Sequence, residues 1–257
     1  WGRVPARAPI ALELVDRLAR ELADDDDALI VLGGFGDPAC HPDFARILTV
    51  IRDAGVYGLA VKTTGQRLDA AARDALLAAR VDVLVVELDA WHDATYVHLT
   101  GGADPAPVRQ AIAELSAARA QRSQVEPIIV PLLTKALPNV EELDAFYDGW
   151  MRAQGCASIV GFSHFANRLE DLSVMDMAPP QRTACRRIFS RCVVLADGAV
   201  VACDQDYTGE LALGNLNNHS LAEIWSGPRA CELRNRHAAG DFAAGPLCGA
   251  CGEWHRP

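Results

Sequence analysis

Short apolar segments alternate with amphipathic segments of helical length through most of the first 180 residues of this 257-residue chain. In residues 10–23 the apolar side chains recur with helical spacing, and the next apolar run, 28–32, ends in two glycines as a buried strand would. Because parallel neighbours require a crossover connection, usually a helix, the pattern predicts β-α units on a parallel sheet. The predicted strands are 28–32, 57–62, 82–88, 127–133 and 157–162, and the predicted helices are 10–23, 69–80, 106–122 and 140–153.

The first predicted element is a helix and not a strand. A crossover helix joins two parallel strands, so we expect helix 10–23 to follow a strand that lies upstream of Trp1. The fold class expected is therefore α/β: a partial (β/α)6-type parallel barrel missing its first strand, plus a small C-terminal cysteine-rich β-hairpin/helix domain.

The pattern changes after about residue 180. Two apolar segments, 192–196 and 199–203, flank Asp197-Gly198, a dipeptide that suits a tight hairpin turn. Ser220 and Glu223 form a capping box that predicts a short helix. The segment is too short and too polar to form a large hydrophobic core. Metal ligation would supply the stability that a small core lacks. We therefore predict two domains, 1–180 and 181–257.

Four cysteines of this second segment are spaced as two half-sites. A C-x-x-C step places two thiolates on one turn, and a hairpin brings another pair opposite, which suits either zinc or an iron–sulfur cluster. The eight cysteines of the chain and the absence of an export signal in these residues favour reduced thiols or metal ligands over disulfides. The candidate ligands are Cys185, Cys203, Cys248 and Cys251. The alternative is that these four are small buried hydrophobic residues, a common use of free cysteine.

Composition excludes some classes of partner. The formal net charge is −10 and the pI is near 5.1, whereas a nucleic-acid-binding surface needs clustered Lys and Arg. The apolar runs end well before about 18 residues, so we expect no membrane span. The cytoplasm is the expected location.

The C-terminal pattern resembles one known family. Cys185, Gly198, Cys203 and the Cys248-Gly-Ala-Cys251 step, together with the segments 213–216 and 220–225, are similar to the radical S-adenosylmethionine (radical SAM) superfamily with a C-terminal SPASM or twitch extension. The resemblance implies that Cys185, Cys203, Cys248 and Cys251 are ligands of an auxiliary 4Fe–4S cluster.

The barrel segment resembles the same superfamily more diffusely, over residues 10–175. The stretch Gly34-Phe-Gly36-Asp37-Pro38 is similar to the glycine-rich loop that binds the methionine end of S-adenosylmethionine in family members, although glutamate is usual where Asp37 stands. Glycine lets a backbone carbonyl approach a ligand closely. The resemblance implies that Gly34, Gly36 and Asp37 line the S-adenosylmethionine site and that Asp89 lies near the ribose.

The family's C-x-x-x-C-x-x-C motif, which holds the cluster that cleaves S-adenosylmethionine, does not occur in these residues. Its expected place is just before Trp1, so the sequence is expected to be an N-terminally truncated piece of an enzyme, with a degenerate homologue as the alternative. A second 4Fe–4S cluster is expected only if the motif exists upstream.

Three functional hypotheses follow. The first is a radical SAM oxidoreductase or maturase that acts on a peptide, a partner enzyme or a small molecule, with a reductant protein as a possible partner; its catalytic residues are unassigned. The second is a non-catalytic module that binds a peptide or partner through the barrel and a four-cysteine metal site. The third is a zinc-ribbon scaffold attached to an unrelated α/β domain.

Overall fold

A computed structural model describes residues 4–243 and 247–256. The contacts divide these residues into two compact units. One unit contains residues 22–162 and 172–174, and the other contains the described residues within 1–21, 163–171 and 175–257. The sequence predicted a boundary near residue 180, whereas the contacts place residues 4–21 in the same unit as the cysteine-rich segment.

The first unit is built on a five-stranded parallel sheet, in which strand order follows chain order. This confirms the predicted fold class, because each apolar run became a strand and each crossover contains a helix. The strands are β1 (Leu29–Leu32), β2 (Gly58–Thr63), β3 (Val83–Glu87), β4 (Ile128–Lys135) and β5 (Ser158–Gly161).

Helices occupy the connections between these strands. Most have an apolar face at helical spacing, as in Phe44–Ala54, where Ile47, Leu48 and Ile51 are buried, whereas Asp93–Thr100 buries only Tyr96. The side chain of Asp69 caps Ala70–Ala78 by accepting from the N–H of Ala72. After Leu12–Leu22 (α1) of the other unit, the helices here are α2 (Phe44–Ala54), α3 (Ala70–Ala78), α4 (Asp93–Thr100), α5 (Ala106–Gln121) and α6 (Leu143–Gln154).

The two faces of the parallel sheet differ in burial. Leu59, Val61, Leu84 and Val86 alternate along β2 and β3 and are buried, which is the pattern expected on a face covered by helices. The residues between them are half-buried. On the same face as these half-buried residues lie Val31 and Ile128, which are 61% and 50% exposed. We call this the open face of the sheet.

The second unit contains a three-stranded antiparallel sheet, in which strand order follows chain order. The hairpin between the first two strands turns at Gly198, whose φ of 83° suits glycine, and its formation confirms the prediction made from Asp197-Gly198. The capping box of Ser220 and Glu223 also forms. The elements are β6 (Val193–Val194), β7 (Ala199–Val201), β8 (Ala212–Asn215), α7 (Arg187–Ser190), α8 (Leu221–Trp225) and α9 (Pro228–Ala238).

Helix α1 contributes to the core of this second unit. Leu14 packs in a hydrophobic cluster with Val200, Leu216 and Ile224. The carboxylate of Glu21 accepts from the backbone N–H groups of Leu221 and Ala222 at 3.0 and 2.6 Å, at the start of α8. These contacts show that the helix completes the core of the small sheet; the predicted connection from an upstream strand to this helix stays a prediction.

Among the described residues, no helix combines the length and the apolar character needed to cross a membrane.

Candidate functional sites

The loop after β1 contains the predicted glycines. Gly33 and Gly34 have φ values of 141° and 110°, a region that other residues rarely adopt. A Cβ at Gly33 would lie 2.6 Å from the carbonyl oxygen of Lys62, so the loop runs tightly against β2 there. Gly34 and Gly36 are exposed, and a Cβ at either would meet no atom within 4 Å. No neighbour within the described chain requires glycine at position 36, so the space beside it is open to a ligand.

Asp37 holds this loop in place. One carboxylate oxygen accepts from the N–H of Ala39 at 3.0 Å, which caps the short 3-10 helix Pro38–Cys40. The carboxylate also accepts from the hydroxyl of Thr63 at 2.8 and 2.9 Å, and from the N–H and hydroxyl of Thr64 at 3.0 and 2.6 Å. A carboxylate has about four lone-pair sites, and these contacts occupy them. The side chain therefore joins the loop to the end of β2.

Asp89 follows β3 in a left-handed conformation, with φ of 51°. Its Oδ1 accepts from the N–H of Thr134 at 2.7 Å. Burial raises the pKa of Asp89, and the charge of Glu87 adds to this effect, while the hydrogen bonds from Thr134 and the charge of Lys62 oppose it. Lys62 and Glu87 form an ion pair at 2.8 Å. These three charged groups lie at the carboxyl ends of β2 and β3, the edge where α/β folds bind ligands.

Two buried polar residues that support this edge were not predicted from the sequence. Asn139 uses its Nδ2 to donate to the carbonyl oxygens of Asp89 and Thr134, at 2.7 and 2.9 Å. Glu142 accepts from the N–H groups of Trp91 and His92 at 2.7 and 3.0 Å. Both lie in the 3-10 segment Leu137–Glu142. They fix the chain that leaves β3, and with it the position of Asp89.

Glu142 is buried as an anion. Burial would raise its pKa, but hydrogen bonds from Thr95, His92 and Trp91 outweigh burial and lower the pKa below its ordinary value of 4.5. Its carboxylate therefore remains charged at neutral pH and satisfies donors at the start of α4 that have no acceptor within the helix.

The four candidate metal ligands lie in the second unit, at the ends of its elements. Cys185 precedes α7, Cys203 follows β7, and Cys248 and Cys251 share a turn in which the N–H of Cys251 donates to the carbonyl of Cys248 at 3.3 Å. All four are free thiols of intermediate exposure. The structure thus brings together residues that are separated by up to 66 positions in the chain.

Burial dominates the electrostatics of these thiols. The pKa of Cys203 is raised to about 12, mainly by burial, with smaller contributions from the charges of Asp204, Cys248 and Cys251. Burial likewise raises the pKa of Cys248 to about 11, with added contributions from Cys251 and Cys185. The pKa of Cys251 is also raised by burial and by Cys185, although the N–H of Glu253 donates to its sulfur at 3.3 Å and opposes this. Each of the four sulfurs therefore interacts electrostatically with at least two of the others.

Within residues 4–243 and 247–256, no three Cys, His, Asp or Glu side chains gather tightly enough around one point for a single metal ion.

The other cysteines lie outside this group. Cys40 is exposed, and burial raises the pKa of Cys192 to about 11. The thiols of Cys156 and Cys231 donate to the carbonyls of Ile129 and Ser226, at 3.1 and 3.3 Å.

Comparison with known proteins bears on both regions. Residues 185–252 match SPASM, an iron-sulfur cluster-binding domain. The chain also resembles three solved radical SAM enzymes. For Streptococcus suis SuiB bound to precursor peptide SuiA the TM-score is 0.74 at 12% identity, covering 90% of this chain and 61% of that one. For anSMEcpe with bound AdoMet the TM-score is 0.67 at 12% identity, covering 93% of this chain and 74% of that one. For BtrN in complex with AdoMet and 2-DOIA the TM-score is 0.62 at 14% identity, covering 96% of this chain and 81% of that one.

The chain has the radical SAM fold with a C-terminal SPASM domain. A sequence relative, an uncharacterized protein of Treponema pallidum (strain Nichols), is 26% identical over 249 residues, which are 93% of this chain and 68% of that protein. The SPASM match begins at Cys185 and includes Cys203, Cys248 and Cys251.

Proposed function

We propose that this chain is the S-adenosylmethionine- and cluster-binding part of a radical SAM/SPASM enzyme. The observation that carries the proposal is the position of Cys185, Cys203, Cys248 and Cys251 inside residues 185–252, the segment that matches an iron-sulfur cluster-binding domain. These residues are the proposed ligands of an auxiliary 4Fe–4S cluster, which takes four cysteine thiolates.

The surroundings of the thiols fit such a group. Partial burial raises the pKa of Cys203, Cys248 and Cys251, and binding to iron would provide the compensating positive charge. The N–H of Glu253 already donates to the sulfur of Cys251, as commonly happens around cluster thiolates. When bound, an auxiliary cluster supplies one-electron transfer or a coordination position for substrate. The chain's own contribution is to exclude water and to hold four sulfurs in place through α7, β7 and the Cys248–Cys251 turn.

The proposed S-adenosylmethionine site is the loop after β1. Gly34 and Gly36 leave open space for the methionine end, and Asp37 holds the loop against β2. We assign the ribose contact to Asp89, which lies at the carboxyl edge of the same sheet. The solved structures of anSMEcpe and BtrN with AdoMet support an S-adenosylmethionine site in this fold.

Radical chemistry needs a second 4Fe–4S cluster, which in the superfamily is held by C-x-x-x-C-x-x-C. These 257 residues have no such spacing, so the enzyme proposal depends on a motif encoded upstream of Trp1. Sequencing the gene upstream tests this directly, since the motif is expected within about 20 residues, the length of a strand and a loop.

We propose a peptide or protein substrate and a maturase or oxidoreductase reaction. SuiB was solved with a precursor peptide, and anSMEcpe with the Kp18Cys peptide. The open face of the parallel sheet presents Val31 and Ile128, apolar side chains that a peptide can cover. BtrN was solved with 2-DOIA, so a small-molecule substrate is the alternative, and substrate screening separates the two.

The cluster proposal is tested by anaerobic reconstitution with iron and sulfide. We expect iron and acid-labile sulfide in a ratio near one, and a strong loss of both in Cys185→Ser, Cys203→Ser, Cys248→Ser and Cys251→Ser. Cys231→Ser, in the same unit but outside the group, is the matched control and should retain the cluster. Protein that takes up zinc but neither iron nor sulfide would refute the proposal.

The second candidate is a non-catalytic module that binds a peptide or partner enzyme. The open face of the parallel sheet supports it, because a peptide can cover the exposed side chains of Val31 and Ile128 without any radical step. A gene that starts at this point without the motif, together with a protein that binds peptide but does not cleave S-adenosylmethionine under reducing conditions, would establish this alternative.

A further inference from the structure

The side chain of His237 is enclosed beside the cysteine group, yet one of its ring nitrogens has no partner among residues 4–243 and 247–256. The residue is 2% exposed and lies near the end of α9. Its Nδ1 accepts from the backbone N–H of Cys185 at 3.4 Å. In a neutral ring this places the proton on Nε2, which makes Nε2 a donor. Nε2 is buried and makes no hydrogen bond in the structure.

Arg182 has a second buried donor of this kind, also beside the cysteine group. Its Nη2 donates to the carbonyl of Cys248 at 2.6 Å, while its Nε is buried and finds no partner in the described part of the chain. Its guanidinium lies 4.8 Å from the centre of the Phe242 ring, and His237 contacts the same ring edge-on with centroids 5.5 Å apart. His237 and Arg182 are thus held together by Phe242, and each already contacts the backbone of a cysteine in the group.

Folded proteins rarely keep a buried donor without an acceptor, because its desolvation is then uncompensated. Gln124 and His255 also have a buried unpartnered atom, so such an atom does not by itself define a site. The difference here is that both residues with an unpartnered donor contact the backbone of a proposed ligand, Cys185 for His237 and Cys248 for Arg182. A 4Fe–4S cluster with four thiolates is anionic and offers sulfur acceptors, which matches both donors and the charge of Arg182.

We propose that His237 Nε2 and Arg182 Nε donate hydrogen bonds to sulfur atoms of the group held by Cys185, Cys203, Cys248 and Cys251, and that they raise its reduction potential. This inference rests on the proposed function, because it requires the cluster. Hydrogen bonds and positive charge near cluster sulfur stabilise the reduced form, which carries one more negative charge.

The test compares reconstituted proteins by EPR-monitored redox titration, with iron and sulfide content measured on each sample. His237→Leu and Arg182→Met each remove a donor, and we expect both to shift the midpoint potential to more negative values. His237→Gln retains an amide donor and should shift it less. Arg229→Gln is the matched control: Arg229 is exposed on the same helix α9 and donates to the carbonyl of Ala212, so its loss should leave the potential unchanged.

The outcomes separate this inference from the proposed function. If the unmodified protein takes up no iron and sulfide, the proposed function fails and the inference fails with it. If His237→Leu and Arg182→Met load fully and keep the original potential, only the inference is overturned. If His237→Leu folds by circular dichroism but loses iron, retention by His237→Gln supports a donor role, and equal loss in both variants overturns it.

Discussion

Asp37 accepts a hydrogen bond from the hydroxyl of Thr64 at 2.6 Å and so joins the loop after β1 to the end of β2. The same carboxylate caps the 3-10 helix Pro38–Cys40 through the N–H of Ala39. One side chain therefore joins the end of the loop both to the 3-10 helix that follows it and to β2. The proposed S-adenosylmethionine site depends on this loop, although the carboxylate itself is occupied by the protein.

We expect Asp37→Asn to lower the free energy of unfolding by about 1–3 kcal/mol, because an amide offers one acceptor oxygen and leaves donors of Thr63 or Thr64 unpaired. Urea denaturation measures this. Asp43→Asn is the control: Asp43 makes an exposed ion pair with Arg46, and its change should cost under about 1 kcal/mol. Equal effects of the two variants would contradict the role assigned to Asp37.

Glu142 and its exposed neighbour Glu141 form a natural pair of variants. The pKa of Glu142 is below 4.5 in the folded protein, so its charge contributes stability that is present above the unfolded pKa and lost as the pH falls through the folded value. Glu142→Gln should therefore destabilise the protein at about pH 7, and the difference from the unmodified protein should shrink toward about pH 3. Glu141→Gln should have little effect at either pH. Thermal unfolding across this range provides the measurement.

Replacing the carboxylate of Asp89 should change stability at neutral pH in the opposite direction to replacing that of Glu142. Its folded pKa is raised above the ordinary value of 3.8 by burial, so the ionised form is penalised at neutral pH, and the penalty disappears below the unfolded pKa. Asparagine also tolerates a positive φ. We expect Asp89→Asn to leave stability equal or higher at about pH 7, with a gain that fades in acid. Asp24→Asn, in an exposed loop, is the control. A clear loss of stability in Asp89→Asn at neutral pH would refute this assignment of the dominant effect.

The strands and the hairpin could be predicted because their signals are local. Val83–Glu87 is a continuous apolar run up to its last residue, and Asp197-Gly198 requires a turn whatever surrounds it. Helix α4, in contrast, buries only Tyr96 among its eight residues, so it has no apolar face to recognise. Asn139 and Glu142 were missed for another reason: their partners at residues 89–95 lie about 50 positions away, and only the folded sheet brings them together. The cysteine group was found despite similar separations because C-x-x-C is itself a local signal.

The packing of α1 shows where the sequence pattern was insufficient. Its apolar spacing predicts a helix with a buried face but does not identify the surface that covers this face. Leu14 packs with Val200, Leu216 and Ile224, so we expect Leu14→Ala to cost about 2–5 kcal/mol through loss of buried contacts and the cavity that remains. Hydrogen exchange should increase at β7 and β8. Glu13 is one position away and exposed, so Glu13→Ala should change neither the stability nor the hydrogen exchange of β7 and β8.

Gly36 provides the most direct test of the S-adenosylmethionine site. A side chain at this position meets no protein atom within 4 Å, and its φ is not in the positive region, so Gly36→Arg should fold with a thermal midpoint close to that of the unmodified protein. If the methionine end of the ligand occupies this space, the arginine excludes it, and S-adenosylmethionine affinity measured by calorimetry should fall at least about tenfold, a difference of about 1.4 kcal/mol.

Ala71→Arg, on the exposed side of α3, is the matched control and should bind S-adenosylmethionine with unchanged affinity. The protein for this comparison should include any upstream cluster motif, because the cluster itself binds the ligand in the superfamily. Unchanged affinity in a folded Gly36→Arg protein would place the ligand elsewhere, because an arginine side chain at this position would conflict with a ligand bound beside it.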